Sequence, residues 1–263
     1  MNAAQTLLGW LAPWEGSPTV VLATIGAAVW YLWRRRAQAL STLQQWTFWT
    51  GLALSYAVLN TQFDYYAQHE FFMHRLQHLV LHHVGPFLLA LGQPLPVGAT
   101  WPRPLRPLRW LVHPYVTAAL FNLLVLFWLI PAVHFPAMLD WRLYRLMNWG
   151  MFVNGVLFWT VVLRGVAPGY PPAGAATRIV LMLAVIPAQI AIGALVFFAP
   201  VELYPIYTLC GRAFAGIGAL QDQQIGGLIL WVPGAMMSIA GILIVLQRRL
   251  GEAPRPVTAR RPA

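Results

Sequence analysis

FDYYAQHEFFMHRLQHLVLHHVGPFLLALG, residues 63–92, begins polar and aromatic and ends as an apolar run long enough to enter a bilayer. His69, His74, His78, His82 and His83 fall within fifteen of its residues, in a chain otherwise almost devoid of ionisable groups. His74, His78 and His82 recur at every fourth position, so on a helix they form one imidazole stripe. A histidine row facing hydrocarbon is costly, which places these rings inside a helical bundle or at its mouth. The stretch therefore predicts both an all-α membrane fold and a site within it, because imidazole is the commonest side-chain metal ligand and also serves haem and proton chemistry.

The rest of the sequence supports that class. Hydrophobic residues make up 59% of the 263 positions and charged ones only 9%, outside the soluble pattern. The apolar runs predict a polytopic transmembrane bundle of seven spans: Pro18 to Trp33, Leu43 to Leu59, Met73 to Leu91, Leu111 to Ile130, Leu146 to Leu163, Ile179 to Phe198 and Ile225 to Leu246. The first and third are short or polar for a span of about 20 residues, so six and eight are the alternative counts. Residues 1–250 read as one transmembrane domain and residues 251–263, GEAPRPVTARRPA, as a mobile tail. The start, MNAAQTLLGWLAPWEG, has neither an early positive charge nor a long apolar run, so the first span reads as retained rather than cleaved.

There is no lysine, and thirteen of the seventeen arginines fall on one side under the seven-span reading. The positive-inside rule makes that side cytoplasmic, with the N-terminus outside and the C-terminus inside. Asp64, Glu70, Asp140, Glu202 and Asp222 then collect near the outer face, beside the histidines. The net charge of +10 does not point to nucleic acid, since no lysine-rich segment or soluble basic domain is present to follow a phosphate backbone. The arginines read as anchors near anionic membrane lipid. Cys210 is the single cysteine, so an intrachain disulfide is excluded and a metal site must rest on nitrogen, oxygen or methionine sulfur.

His74 and His78 lie one helical turn apart, a spacing that lets two nitrogens approach one ion. The segment HRLQH lacks the glutamate of HExxH, which disfavours a zinc protease. His82 lies about 12 Å further along a straight helix, too far to share that ion, and reads as a secondary or transfer ligand. On an α-helix His83 points to another face, and His69 precedes the helix body; with Asp64 and Met73 they mark an entrance. Met73, with Met138 and Met147 near the same outer face, favours copper(I) over a hard cation. His134, at the outer end of the fourth span, reaches His74 or His78 if the third and fourth spans pack together. Three nitrogens would then meet at one level.

The charged neighbours have simpler readings. Arg75 beside the stripe needs an anion, and Glu70 is the expected partner. Arg142, Arg145 and Arg212 have two equal readings, pairing with Asp140 and Glu202 or contact with lipid headgroups. Asp222, just before IGGLILWVPG, reads as a helix cap or as support for the site across the bundle. Gly226, Gly227 and Gly234 permit close helix approach.

Several ordered motifs are similar to the bacterial caa3-type cytochrome c oxidase assembly factor family, CtaG: FMHRLQHLVL at 72–81, VGPFLLALGQP at 84–94, LVHPYV at 111–116, HFPAML at 134–139, GVLFW at 155–159 and DQQIGGLILWVPG at 222–234. The resemblance implies a non-enzymatic inner-membrane protein that delivers or retains copper for oxidase maturation, working with an oxidase subunit or another copper chaperone. His74, His78 and His134 match the family's histidine positions, and Asp222 its acidic position. Related chains commonly carry a histidine where this one has Asn148; an amide is a poorer ligand, and Met147 or Met151 would have to compensate. The other readings left open are a haem or quinone redox protein and a metal transporter.

Overall fold

The computed structural model describes residue 9 and residues 16–37, 39–92, 103–166 and 169–251. The expected tail from residue 252 onward and the first part of the Pro-rich loop after residue 92 lie outside the described residues. Every regular element among the described residues is helical. In chain order they are α1 (Pro18–Ala37), α2 (Thr42–Asn60), α3 (Gln62–His69), α4 (Phe71–His78), a π-helical segment (Leu79–Val84), α5 (Gly85–Leu91) and a 3-10 segment (Arg103–Val112). Then follow α6 (Pro114–Leu129), α7 (Pro131–Leu139), α8 (Trp141–Arg164), α9 (Ala175–Phe198), the single turn α10 (Ile206–Leu209) and α11 (Ala219–Gly251).

The expectation of seven spans is corrected. Among the described residues three helices, α8, α9 and α11, are long and apolar enough to cross a membrane. A fourth is reached only by joining residues 106–112 to α6 across a 74° bend. Helices do occupy the other expected stretches, but each falls short for a physical reason. α1 ends in Arg34, Arg35 and Arg36. α2 opens with TLQQWT. The third stretch starts at a chain break before α4, carries the histidines and changes to π geometry midway. The apolar helices, with Leu195, Phe198, Val232, Met236 and Leu243 exposed on their outer sides, make this a membrane-associated protein.

Local chemistry sets the ends of the elements. Ser41 and Gln44 form a reciprocal capping box at the start of α2, with the Ser41 N–H donating to Gln44 Oε1 at 2.8 Å. Asp140 caps α8 by accepting from the Arg142 N–H at 2.7 Å. α8 closes at Gly165, whose φ of 68° suits a residue without Cβ. Its last carbonyls are covered by arginines: Arg178 Nε donates to Val162 O at 2.6 Å and Arg248 Nη1 to Leu163 O at 2.9 Å. These contacts gather the end of α8, the start of α9 and the end of α11 at one arginine-rich level.

α9 and α11 run against each other over most of their length. A Cβ at Gly193 would lie 2.8 Å from Gly227 O, and one at Gly227 would lie 2.7 Å from Phe197 N, so the two backbones touch where neither glycine has a side chain. This is the close approach the glycines predict. One core layer, including Phe71, Trp128, Met147, Met151, Tyr204 and Tyr207, surrounds α4. A second, with Phe121, Phe158, Trp159 and Met182, lies toward the arginine-rich end.

Candidate functional site

Glu70 has extended backbone (φ −138°, ψ 131°), so the chain breaks there and restarts as α4. The new helix is capped from across the bundle. Asp222 Oδ2 accepts from the Phe71 N–H at 2.9 Å and Asp222 Oδ1 from the Phe72 N–H at 2.7 Å. A carboxylate at a helix N-terminus satisfies free donors and complements the helix dipole. Arg212 Nη2 lies 2.6 Å from both Asp222 and Glu70, and the Phe214 N–H donates to Glu70 at 2.8 Å. Asp222 thus fixes the start of the helix that carries His74, with its oxygens directed to backbone and guanidinium donors rather than to an imidazole.

This arrangement overturns the pairing expected for Arg75. Glu70 serves Arg212 and Phe214, while Arg75 is buried and makes no ion pair among the described residues. Asp140 and Glu202 are likewise engaged locally, with the Arg142 N–H and with the Thr208 hydroxyl at 2.5 Å.

His74, His78 and His134 lie beside one another in the bundle. All three are buried, with ring centroids 4.4 Å apart for His74 and His78 and 5.3 Å apart for His74 and His134. Their hydrogen bonds distinguish them. His134 Nδ1–H donates to Trp128 O at 2.9 Å, which leaves Nε2 as an acceptor for the Tyr207 hydroxyl at 2.9 Å. His78 Nε2–H donates to Asn148 Oδ1 at 3.1 Å and leaves Nδ1 without a partner. Neither nitrogen of His74 has a side-chain hydrogen-bond partner, and the Ala67 carbonyl is the one backbone acceptor within its reach. Among the described residues, no group of three or more His, Cys, Asp or Glu side chains is arranged to hold a metal ion.

The remaining predicted positions divide into three settings. Asp64 is buried, and its carboxylate accepts from Tyr144 Oη and Gln77 Nε2, both at 2.7 Å, and from Gln68 Nε2 at 3.0 Å. It ties α3, α4 and α8 together. His69 is half-buried and donates to Tyr65 O at 2.8 Å, while Met73 is buried. A polar cavity of about 170 Å³ runs from Asp64, Gln68 and Arg145 past Tyr144 to Asn148, the partner of His78. Met147 and Met151 are fully buried in the core layer around α4.

His82 and His83 occupy the third setting. In an unbroken α-helix they would face different ways, and His83 was expected to. The π segment changes that: the Gly85 N–H reaches back five residues to Val80 O, and both histidines are buried against Phe121, at 3.9 and 5.0 Å between ring centroids. His82 Nε2–H donates to Asn154 Oδ1 at 3.1 Å, and its carbonyl accepts from Trp159 Nε1 at 3.1 Å. Gly155 makes room for this turn, since a Cβ there would lie 2.6 Å from His82 O.

Residue reading did not find Gln77, Tyr144, Asn154, Gln189, Tyr204 or Tyr207. Gln189 had a usable signal: it is a lone amide in the apolar run of α9, and intramembrane polar residues are costly unless they have a role. Tyr207 had none, because its one-turn helix gives no indication that it folds back onto His134.

No curated protein and no solved structure matches the chain. A family model described as cytochrome c oxidase caa3 assembly factor matches residues 26–251, which include every side chain of the histidine cluster and its supports. The chain belongs to the caa3 cytochrome c oxidase assembly factor family.

Proposed function

We propose that this assembly factor holds copper(I) reversibly on His74 and His78 and hands it to an oxidase subunit at the outer face of the bacterial inner membrane. The observation that carries this reading is His74: a buried imidazole with no side-chain hydrogen bond, so that at least one nitrogen is a free lone pair, 4.4 Å from the ring of a second histidine with a free Nδ1. Leaving a buried polar atom unpaired costs about 1–3 kcal/mol, so the pair is poised for a ligand that takes lone pairs. Copper(I) is the fitting cargo, because imidazole suits copper and this ion accepts fewer ligands than zinc, whose structural sites use four. A two-histidine site releases its ion more readily than a closed one, as delivery requires.

The arginine-rich level formed by Arg164, Arg178 and Arg248 is the cytoplasmic end in this proposal. The end with Asp222, Glu70 and Asp140 is then outer, and the cavity from Asp64 to Asn148 is the route to His78. Below the histidines, Phe121, Phe158 and Trp159 are fully buried, which favours lateral handover over passage across the membrane. The cavity at His78, His82 and His83 is about 30 Å³, too small for a porphyrin, so haem ligation is disfavoured.

The test is metal analysis and an absorption spectrum on detergent-purified protein loaded with copper(I) under exclusion of oxygen. Wild type is expected to retain copper in competition with a colorimetric chelator, and His74→Ala/His78→Ala to lose it. Equal retention by both would rule out the site, and a Soret band would replace it with haem binding.

A further inference from the structure

Arg75 is the least explained group in the protein. Its side chain is buried, and its Nε and Nη2 have no hydrogen-bond partner. Its neighbours carry no negative charge: the Phe71 ring lies 5.0 Å from the guanidinium carbon, and the hydroxyl-bearing Tyr144, Tyr204 and Tyr207 stand around it. The buried acids are committed elsewhere: Glu70 and Asp222 to Arg212, and Asp64 to Gln77 and Tyr144. A guanidinium at this depth keeps its charge, and an uncompensated buried ion costs several kcal/mol even after relaxation.

Arg75 opens onto the interior cavity of about 30 Å³ that it shares with His78, His82, His83, Met151 and Gln189. Unpaired polar atoms converge around this space. Gln189 is buried, and neither Nε2 nor Oε1 has a partner; His83 Nδ1 is also free. Gly234 shapes the wall, since a Cβ there would lie 2.9 Å from Gln189 Oε1 and 3.8 Å from His83 Cε1. A water needs about 10–15 Å³, so the space suits a monatomic anion or two waters and is too small for sulfate or phosphate. Water would satisfy hydrogen bonds but leave the charge of Arg75 standing.

We infer that this cavity is a binding site for one halide-sized monovalent anion, held by the Arg75 guanidinium and the donor groups of Gln189 and His83. The free Nδ1 atoms of His78 and His82 are lone pairs, because the opposite nitrogens donate to Asn148 and Asn154. They do not contact the anion directly, and it settles on the Arg75 and Gln189 side. The π segment is what makes the site, since it turns His83 toward the same cavity as His78 and His82. The cavity borders His78, which the proposed copper site also uses, but the inference does not require copper to be bound.

The test uses full-length protein in detergent, exchanged into sodium gluconate and titrated with chloride or bromide at constant ionic strength while thermal unfolding is followed. Wild type is expected to show a saturable rise in unfolding temperature with either halide and none with sulfate. Arg75→Gln, which keeps the length and removes the charge, is expected to lose the response. Should that variant not fold, Gln189→Leu is expected to raise the half-saturating halide concentration about tenfold. Crystals grown in bromide are expected to show one anomalous peak beside Arg75. An unfolding temperature indifferent to the anion, a halide response unchanged in both variants, or bromide-free density beside Arg75 would overturn the proposal in favour of water alone.

Discussion

The Tyr207 hydroxyl donates to His134 Nε2 at 2.9 Å and so occupies the lone pair that a metal would need. His134 is held by Trp128 on its other nitrogen, which fixes the tautomer and the ring orientation. The third histidine of the cluster is thus oriented toward His74 and occupied at the same time. Tyr207→Phe removes the hydroxyl while keeping the ring that packs near Phe71 at 5.9 Å. It is expected to tighten copper(I) retention about tenfold, at a stability cost of about 1 kcal/mol for the lost hydrogen bond. Chelator competition on both proteins checks this, and unchanged affinity would mean that His134 is not a ligand in waiting.

Asp222 joins three elements through one carboxylate: it caps α4 and pairs with Arg212, which also holds Glu70. Asp222→Ala leaves two backbone donors and part of a guanidinium unpaired in a buried setting. A loss of about 2–4 kcal/mol in folding stability is expected, and a smaller one for Asp222→Asn, which retains an acceptor. Denaturant or thermal unfolding in detergent measures it. A neutral Asp222→Ala would show that the cap and ion pair contribute nothing to the site's helix.

Gly227 sits where α9 and α11 touch through backbone atoms. Gly227→Val adds volume where Phe197 N and Gly193 O already leave no room. The helices must separate, and a loss of about 1–3 kcal/mol is expected. Gly150→Ala, at a position open to a Cβ, is the control and is expected to fold as wild type. The pair of unfolding temperatures decides whether close approach or general glycine loss is responsible.

What the residues reveal before folding follows from how local their signal is. His74 and His78 were legible because a four-residue spacing has one meaning on an α-helix. His83 was not, because the π segment over LVLHHV breaks that periodicity; its mark is the following Gly85–Pro86, where Pro86 has no N–H for the His82 carbonyl. Glu70 was assigned to Arg75 by proximity in the chain, but the extended backbone at Glu70 turns its carboxylate to Arg212, 142 residues away. The span count erred in another way. An apolar run indicates burial, and it does not separate a helix long enough to cross from a helix such as α6, which stops after 16 residues at Ile130. Tyr207 and Gln189 reach the histidine region only through tertiary contacts, which residue spacing cannot register.

Asn148 connects the described geometry to the family to which the chain belongs. The resemblance implies a histidine at this position, whereas here the amide oxygen accepts from His78 Nε2 at 3.1 Å and the side chain lines the 170 Å³ cavity. The amide keeps Nδ1 of His78 as a free lone pair, so it orients a ligand without being one. Asn148→Leu removes the acceptor and leaves a buried N–H unpaired, which costs about 1–3 kcal/mol and frees the ring to turn. Copper retention is expected to fall. Asn148→His restores an acceptor and adds an imidazole facing the route from Asp64, so retention is expected to rise about tenfold. Chelator competition on the three proteins, with X-ray absorption counting nitrogen neighbours, separates the roles. If Asn148→Leu and wild type hold copper equally, the amide is a packing residue and His78 is positioned by its helix alone.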